Sequence, residues 1–307
     1  MADPVLLLDG GMGQELMRRS TRPVEPLWSA RTIQHEPELV IAAHRDFIAA
    51  GAQVVTVASY SVTPPRLAAA GEDERFERLQ ATACDCAEAA RAAEGAPVAI
   101  AGCLPPLVRS YRPDLAPDLD SARRDYERIV AAQAPRVDLI LCETLSTLDE
   151  VEAAVGAAAQ SGLPVWCAMT VDDADGTRLR GGAPMREAAE AALAAGARAA
   201  LANCSSPEAI TAATPELAAA GAPFGGYANG FVSVDHQATH GEVSGLRARE
   251  DATPAAYAET ALGWVETGAT LIGGCCEIGP EHIAALRDRL SRAGRPRAAA
   301  PLRPPRA

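Results

Sequence analysis

The chain has 307 residues, of which 48% are hydrophobic and only 4% aromatic, and it carries a formal net charge of −12. That is ample apolar material for one large core, and the length suits a single α/β barrel. The acidic balance argues against a nucleic-acid partner, whose phosphates demand clustered positive charge. The sequence contains no lysine, which excludes Schiff-base, pyridoxal and P-loop chemistry.

In chain order, eight short apolar runs alternate with amphipathic stretches: Val5–Leu8, Val54–Ala58, Val98–Ala101, Leu139–Cys142, Val165–Met169, Ala199–Ala202, Phe224–Ala228 and Ala269–Ile272. Uninterrupted runs of this length suit strands buried on both faces, as a parallel sheet requires. Most follow a glycine stop, at Gly51, Gly95, Gly162, Gly196, Gly221 or Gly268. Between them, Glu36-Pro37-Glu38-Leu39, Ser206-Pro207-Glu208, Thr253-Pro254 and Gly279-Pro280-Glu281 place proline and acids where helices begin. Ser146-Thr147-Leu148-Asp149 offers a capping box. Eight strand–helix units with no change of composition predict a closed (β/α)8 TIM barrel, a single domain over residues 1–293. Residues 294–307 form a Pro/Arg/Ala-rich tail expected to be loosely draped. Two stretches, Ser20–Ala30 and Asn229–Asp251, read as long loops on the active-site face.

No apolar run approaches the roughly 18 residues that span a bilayer. Met1–Gly10 lacks a basic flank and carries Asp9 inside its apolar segment, so it does not read as a signal peptide. Eight cysteines in such a chain suit a reducing cytoplasm.

Barrels place reactive groups at the carboxyl ends of their strands. Those positions hold Asp9-Gly10-Gly11, Ser59-Tyr60, Gly102-Cys103, Glu143-Thr144, Asn203-Cys204, Asn229 and Gly273-Gly274-Cys275-Cys276. Cys204, Cys275 and Cys276 therefore share one rim. Three thiolates with one open position make a catalytic zinc site, and soft sulfur selects zinc over magnesium or calcium. The remaining cysteines, Cys84, Cys86, Cys103, Cys142 and Cys167, read as small buried hydrophobes. A vicinal disulfide or redox switch at Cys275-Cys276 is the alternative use of the pair. Asp9 and Glu143 each end an apolar run, which is costly unless a ligand or cation meets them; an amino-acid ammonium would, and so would an arginine. His236 and His240 read as solvated loop residues.

Asp9-Gly10-Gly11-Met12-Gly13, Pro26-Leu27-Trp28-Ser29-Ala30, Glu143-Thr144, Asn203-Cys204 and Gly273-Gly274-Cys275-Cys276 with Pro280-Glu281-His282-Ile283 resemble the homocysteine S-methyltransferase family. The resemblance covers about residues 5–290. It implies a zinc barrel with Cys204, Cys275 and Cys276 as metal ligands and catalytic centre. It also implies that Asp9 and Glu143, helped by Gly10 and Gly11, hold the amino-acid part of homocysteine, with Asn203 and Tyr60 beside them. The activity implied is methyl transfer to the homocysteine thiol from a small onium donor such as S-methylmethionine, betaine or S-adenosylmethionine, giving methionine. Gln14 stands where many members have threonine, Glu277-Ile278-Gly279 replaces a common Gly-Thr-Thr, and Leu104–Asp114 differs from an S-methylmethionine enzyme's donor loop. Trp28, Tyr60, Tyr111 and Tyr227 are candidate walls for an onium group.

Other readings are a family member acting on a related thiol or selenol or with a partner-protein donor, and a non-catalytic zinc-thiolate or redox-sensing protein. Metal-dependent hydrolysis lacks its His-x-His pair on the first strand. The sequence leaves the donor and any homo-oligomer open.

Overall fold

The computed structural model describes residues 3–22, 27–234 and 246–302. Eight strands are β1 (Leu6–Leu7), β2 (Val54–Thr56), β3 (Ala99–Leu104), β4 (Leu139–Leu145), β5 (Val165–Met169), β6 (Ala199–Asn203), β7 (Phe224–Tyr227) and β8 (Leu271–Ile272). All pair in parallel, in the order β1-β8-β7-β6-β5-β4-β3-β2. The remaining seam closes through a Leu8–Val54 bridge, with Gln53 N donating to Leu7 O at 2.7 Å and Asp9 N to Val54 O at 3.0 Å. The result is the (β/α)8 barrel that the alternation predicts.

Residue alternation along the strands splits the core in two. Leu6, Leu8, Val54, Ala99, Ala101, Leu139, Leu141, Trp166, Ala168, Leu201, Tyr227 and Leu271 pack inside the barrel, where one Trp fills the space that several alanines leave. Their alternates, among them Leu7, Val55, Ile100, Ile140 and Cys167, face the helices.

Helix signals act largely where the sequence places them. Thr147 caps Leu148–Ala159 in a capping box with Glu150, one residue further on than the Ser146–Asp149 pairing suggests. Proline opens Pro37–Ala50, Pro207–Ala219, Pro254–Glu266 and Pro280–Arg292. The glycine stops adopt left-handed backbone, for example Gly51 at φ 118° and Gly268 at φ 106°.

The segment after Gly294 is not loose as far as residue 302, contrary to its composition. Val5 N donates to Pro296 O and Ala298 N to Val5 O, both at 2.8 Å, so the chain pairs alongside β1 at the amino-terminal mouth. Arg297 reaches Gly51 O at 2.6 Å, Gln53 Nε2 donates to Ala298 O, and Ala298 and Ala300 cover the inner core from below. His236 and His240 lie outside the described residues.

Val5 is fully buried, so deleting residues 295–307 strands its amide and carbonyl. Each such group costs about 1–3 kcal/mol. Urea unfolding should show a loss of about 2–6 kcal/mol for the two groups. An unchanged midpoint would mean that water replaces the segment without penalty.

Candidate active site

Three sulfur atoms meet above the barrel. Cys204 follows β6, Cys275 and Cys276 follow β8, and their Sγ atoms lie within 4.8 Å of one another, with Cys204 Sγ 3.7 Å from Cys276 Sγ. Main-chain hydrogen bonds fix this meeting. Gly274 N donates to Asp9 O, Cys275 N to Ala228 O (both 2.9 Å), Gly230 N to Cys276 O (2.8 Å) and Cys204 N to Tyr227 O (3.1 Å). Cys204 itself is left-handed, at φ 50°. A Cβ on Gly274 would overlap the Ile278 side chain, which explains a glycine there.

Electrostatics within the group is uneven. Hydrogen bonds from the Cys275 and Cys276 thiols, joined by the Tyr111 hydroxyl at 3.0 Å, hold the Cys204 thiol well below the usual range. The same exchange pushes Cys275 and Cys276 up. Of the three sulfurs, Cys204 is thus the one whose thiolate form its surroundings favour most. Tyr111, Phe231, Val234 and Leu246 form an apolar wall against Cys204, Cys275 and Cys276.

Asp9 and Glu143 lie at the same rim and feel each other's charge. Asp9 is 6% exposed and accepts from Thr56 N at 2.8 Å; burial raises its pKa to about 8, against the lowering effect of that bond. Burial likewise raises Glu143 to about 7, although Cys103 Sγ (3.0 Å) and Tyr227 Oη (3.4 Å) donate to it. No arginine pairs with either carboxylate in the hydrogen bonds and ion pairs described. Burial thus shifts both groups towards the protonated form, and a positive charge beside them would favour ionisation.

Other expected residues serve these. Gly11 N is spent on Ile278 O at 2.9 Å, and Cβ atoms on Gly10 or Gly11 would drive into the Cys275–Ile278 turn, so both glycines make room for the cysteines. Asn203 turns its amide onto Thr144, accepting from its N at 3.0 Å and donating to its Oγ1 at 2.9 Å, which fixes the left-handed turn after Glu143. Tyr60 bonds Ser110 at 2.8 Å. One face of its ring carries Arg66, whose guanidinium donates to the carbonyls of Tyr60, Pro106 and Val108, and one face of Tyr111 carries Arg180. Those faces are closed to an onium group.

Sequence reasoning missed Cys103 as more than filler: its thiol points into the barrel at Glu143. Its place at a strand end was the available signal. Asn229, noted only as the end of β7, is 1% exposed, accepts from Phe231 N at 3.0 Å and leaves its Nδ2 without a partner.

The chain matches a family model described as homocysteine S-methyltransferase over residues 6–290. It is 34% identical to an Escherichia coli K12 homocysteine S-methyltransferase, over 93% of this chain and 95% of that one. A Brassica oleracea selenocysteine Se-methyltransferase is 26% identical, covering 92% and 88%. Among solved structures, the E. coli homocysteine methyltransferase MmuM in its metallated form superposes with TM-score 0.78 at 29% identity, over 94% of this chain and 96% of that one. Its apo form gives 0.70 at 26% identity, covering 94% and 96%. Barrel, thiol cluster and carboxylate pair thus coincide with a match along nearly the whole chain, and this protein belongs to the homocysteine S-methyltransferase family.

Proposed function

We propose that this enzyme transfers a methyl group from an onium donor to the thiol of homocysteine, giving methionine, with zinc held by Cys204, Cys275 and Cys276. The observation that carries the reading is the convergence of three sulfurs beside two carboxyl groups, Asp9 buried and Glu143 partly so, with no arginine partner among the described contacts. A tetrahedral ion with zinc–sulfur bonds of about 2.3 Å sets its sulfurs about 3.8 Å apart; the Cys204–Cys276 separation of 3.7 Å fits that donor set.

Bound there, zinc supplies a Lewis acid that favours the thiolate form of a thiol near neutral pH. The chain's own residues do the rest. Asp9 and Glu143 ionise against the substrate ammonium and orient the amino acid. Gly10 and Gly11 keep the cysteine turn close, and Asn203 holds Glu143 through Thr144. Tyr60, bonded to Ser110, is the further residue placed beside the substrate. The wall of Tyr111, Phe231 and Val234 keeps water from the reacting sulfur. Thiolate attack breaks the methyl–onium bond, forms the thioether and releases a neutral donor. Opposite charges vanish together, so an apolar wall favours the step.

Three outcomes test this. Cys275→Ser should lose both zinc and turnover; one zinc per chain with a normal rate would refute the ligand assignment. Glu143→Ala should raise the homocysteine KM while zinc stays bound, and metal loss there would mean that its role is misplaced. Third, the raised pKa values of about 8 and about 7 mean that the protonated carboxyls are favoured in the free enzyme. An ammonium ligand favours the ionised forms, so binding releases protons and strengthens as pH rises from 6 towards 8. Calorimetry with methionine, which lacks a free thiol, in buffers of different ionisation heat at pH 6.5 should show net proton release. Zero release, or uptake, contradicts it. Donor identity is read by mass spectrometry from a panel of sulfonium and ammonium compounds with homocysteine fixed; a selenol or second thiol in its place tests the acceptor.

A further inference from the structure

Arg180 has no part in the chemistry above, yet its side chain is only 11% exposed at the rim of the barrel. It sits in the loop after β5, which doubles back through a Val171–Leu179 bridge. Its Nε donates to Thr170 Oγ1 at 3.0 Å and an Nη donates to Asp173 Oδ2 at 2.8 Å. The guanidinium carbon lies 5.0 Å from the centroid of the Tyr111 ring. Asp173 is anchored in turn, its other oxygen accepting from Ser206 N at 2.7 Å at the cap of the next helix.

Both uncharged partners of Arg180 lead to the same turn. The Tyr111 hydroxyl lies 3.0 Å from Cys204 Sγ, and the Thr170 hydroxyl lies 3.0 Å from Ser205 Oγ and 3.4 Å from the Cys204 carbonyl. Cys204 needs restraint from outside, because it and Tyr111 both hold left-handed backbone, at φ 50° and 61°.

We propose that Arg180 is a positioning residue of the metal centre, which fixes Cys204 from two sides: through Tyr111 on its sulfur and through Thr170 on the Cys204-Ser205 turn that follows β6. The inference rests on the reading that Cys204 is a metal ligand. It assigns the loop after β5 to the thiol site, from which sequence distance separates it. A lysine could pair with Asp173, but it cannot also donate sideways to Thr170 and lie flat on the ring.

The test is zinc affinity of the full chain, measured by chelator competition for the wild type, Arg180→Met, Arg180→Lys, Tyr111→Phe and the Met/Phe double variant. Circular dichroism and melting temperature follow the fold. Loss of a partner that orients a metal ligand weakens affinity by about 10–100-fold, and that is expected for Arg180→Met, with partial recovery in Arg180→Lys. The double variant should lose less than the product of the single losses, because Arg180 acts partly through Tyr111. A residue that merely staples the loop would lower the melting temperature and leave zinc affinity of the folded protein within about twofold. That result, or single losses that multiply, would overturn the proposal. Should Arg180→Met not fold, unaltered affinity in both Arg180→Lys and Tyr111→Phe would overturn it equally. A wild type that takes up no zinc would sink the metal reading and this one with it; a zinc-binding wild type with an indifferent Arg180→Met sinks only this one.

Discussion

Adjacent cysteines can face one ion only when the backbone between and around them is held in an unusual path, and that restraint underlies the whole site. Here it comes from main-chain hydrogen bonds to neighbouring strand ends: Gly274 to Asp9, Cys275 to Ala228, Gly230 to Cys276 and Gly11 to Ile278. The first strand, the seventh and the eighth thereby share one set of turns. Gly10, Gly11 and Gly274 matter because any Cβ there would separate these turns. A closed barrel is what brings the ends of β1 and β8 side by side, so fold and site are coupled through backbone rather than through side-chain packing.

The electrostatic cost of the arrangement explains its chemistry. Two carboxyl groups and a thiol share a water-poor rim, where the Glu143 charge raises Asp9 and the Cys204 charge raises Glu143. Such a site is unsatisfied when empty. On the reading proposed above, a ligand with an ammonium at one end and a thiol at the other would relieve both, the ammonium against Asp9 and Glu143 and the sulfur at the cysteine cluster. The closed side of the barrel carries the stabilising burden: Trp166 and small neighbours fill the interior, and Arg297 with Ala298 seals the far mouth.

Much of this was legible in the sequence because it depends on local order. Val165–Met169 reads as a buried strand and is one, and a charged or sulfur-bearing residue ending an apolar run marks the rim. Strands β3 and β4 run on to Leu104 and Leu145, beyond their first polar or small residues, because pairing of Gly102 with Ile140 and Cys103 with Leu141 continues the ladder. Contacts across the barrel were not legible. Cys103 reaches Glu143 over 40 residues of sequence and Tyr111 reaches Cys204 over 93, and neither leaves a spacing pattern. Asn203 was readable as a strand-end amide, but only the fold shows that Thr144 takes it. Composition also misjudged the terminal segment, since a Pro/Arg/Ala tract says nothing of whether its backbone pairs with Val5.

The central claim is that three cysteine sulfurs share one zinc ion with a place left for the substrate's own sulfur. X-ray absorption at the zinc edge, on zinc-loaded protein before and after homocysteine is added, tests it most directly. The account predicts three sulfur neighbours at about 2.3 Å and one lighter atom, becoming four sulfurs with homocysteine. A zinc shell without sulfur, or one that homocysteine leaves unchanged, would contradict it.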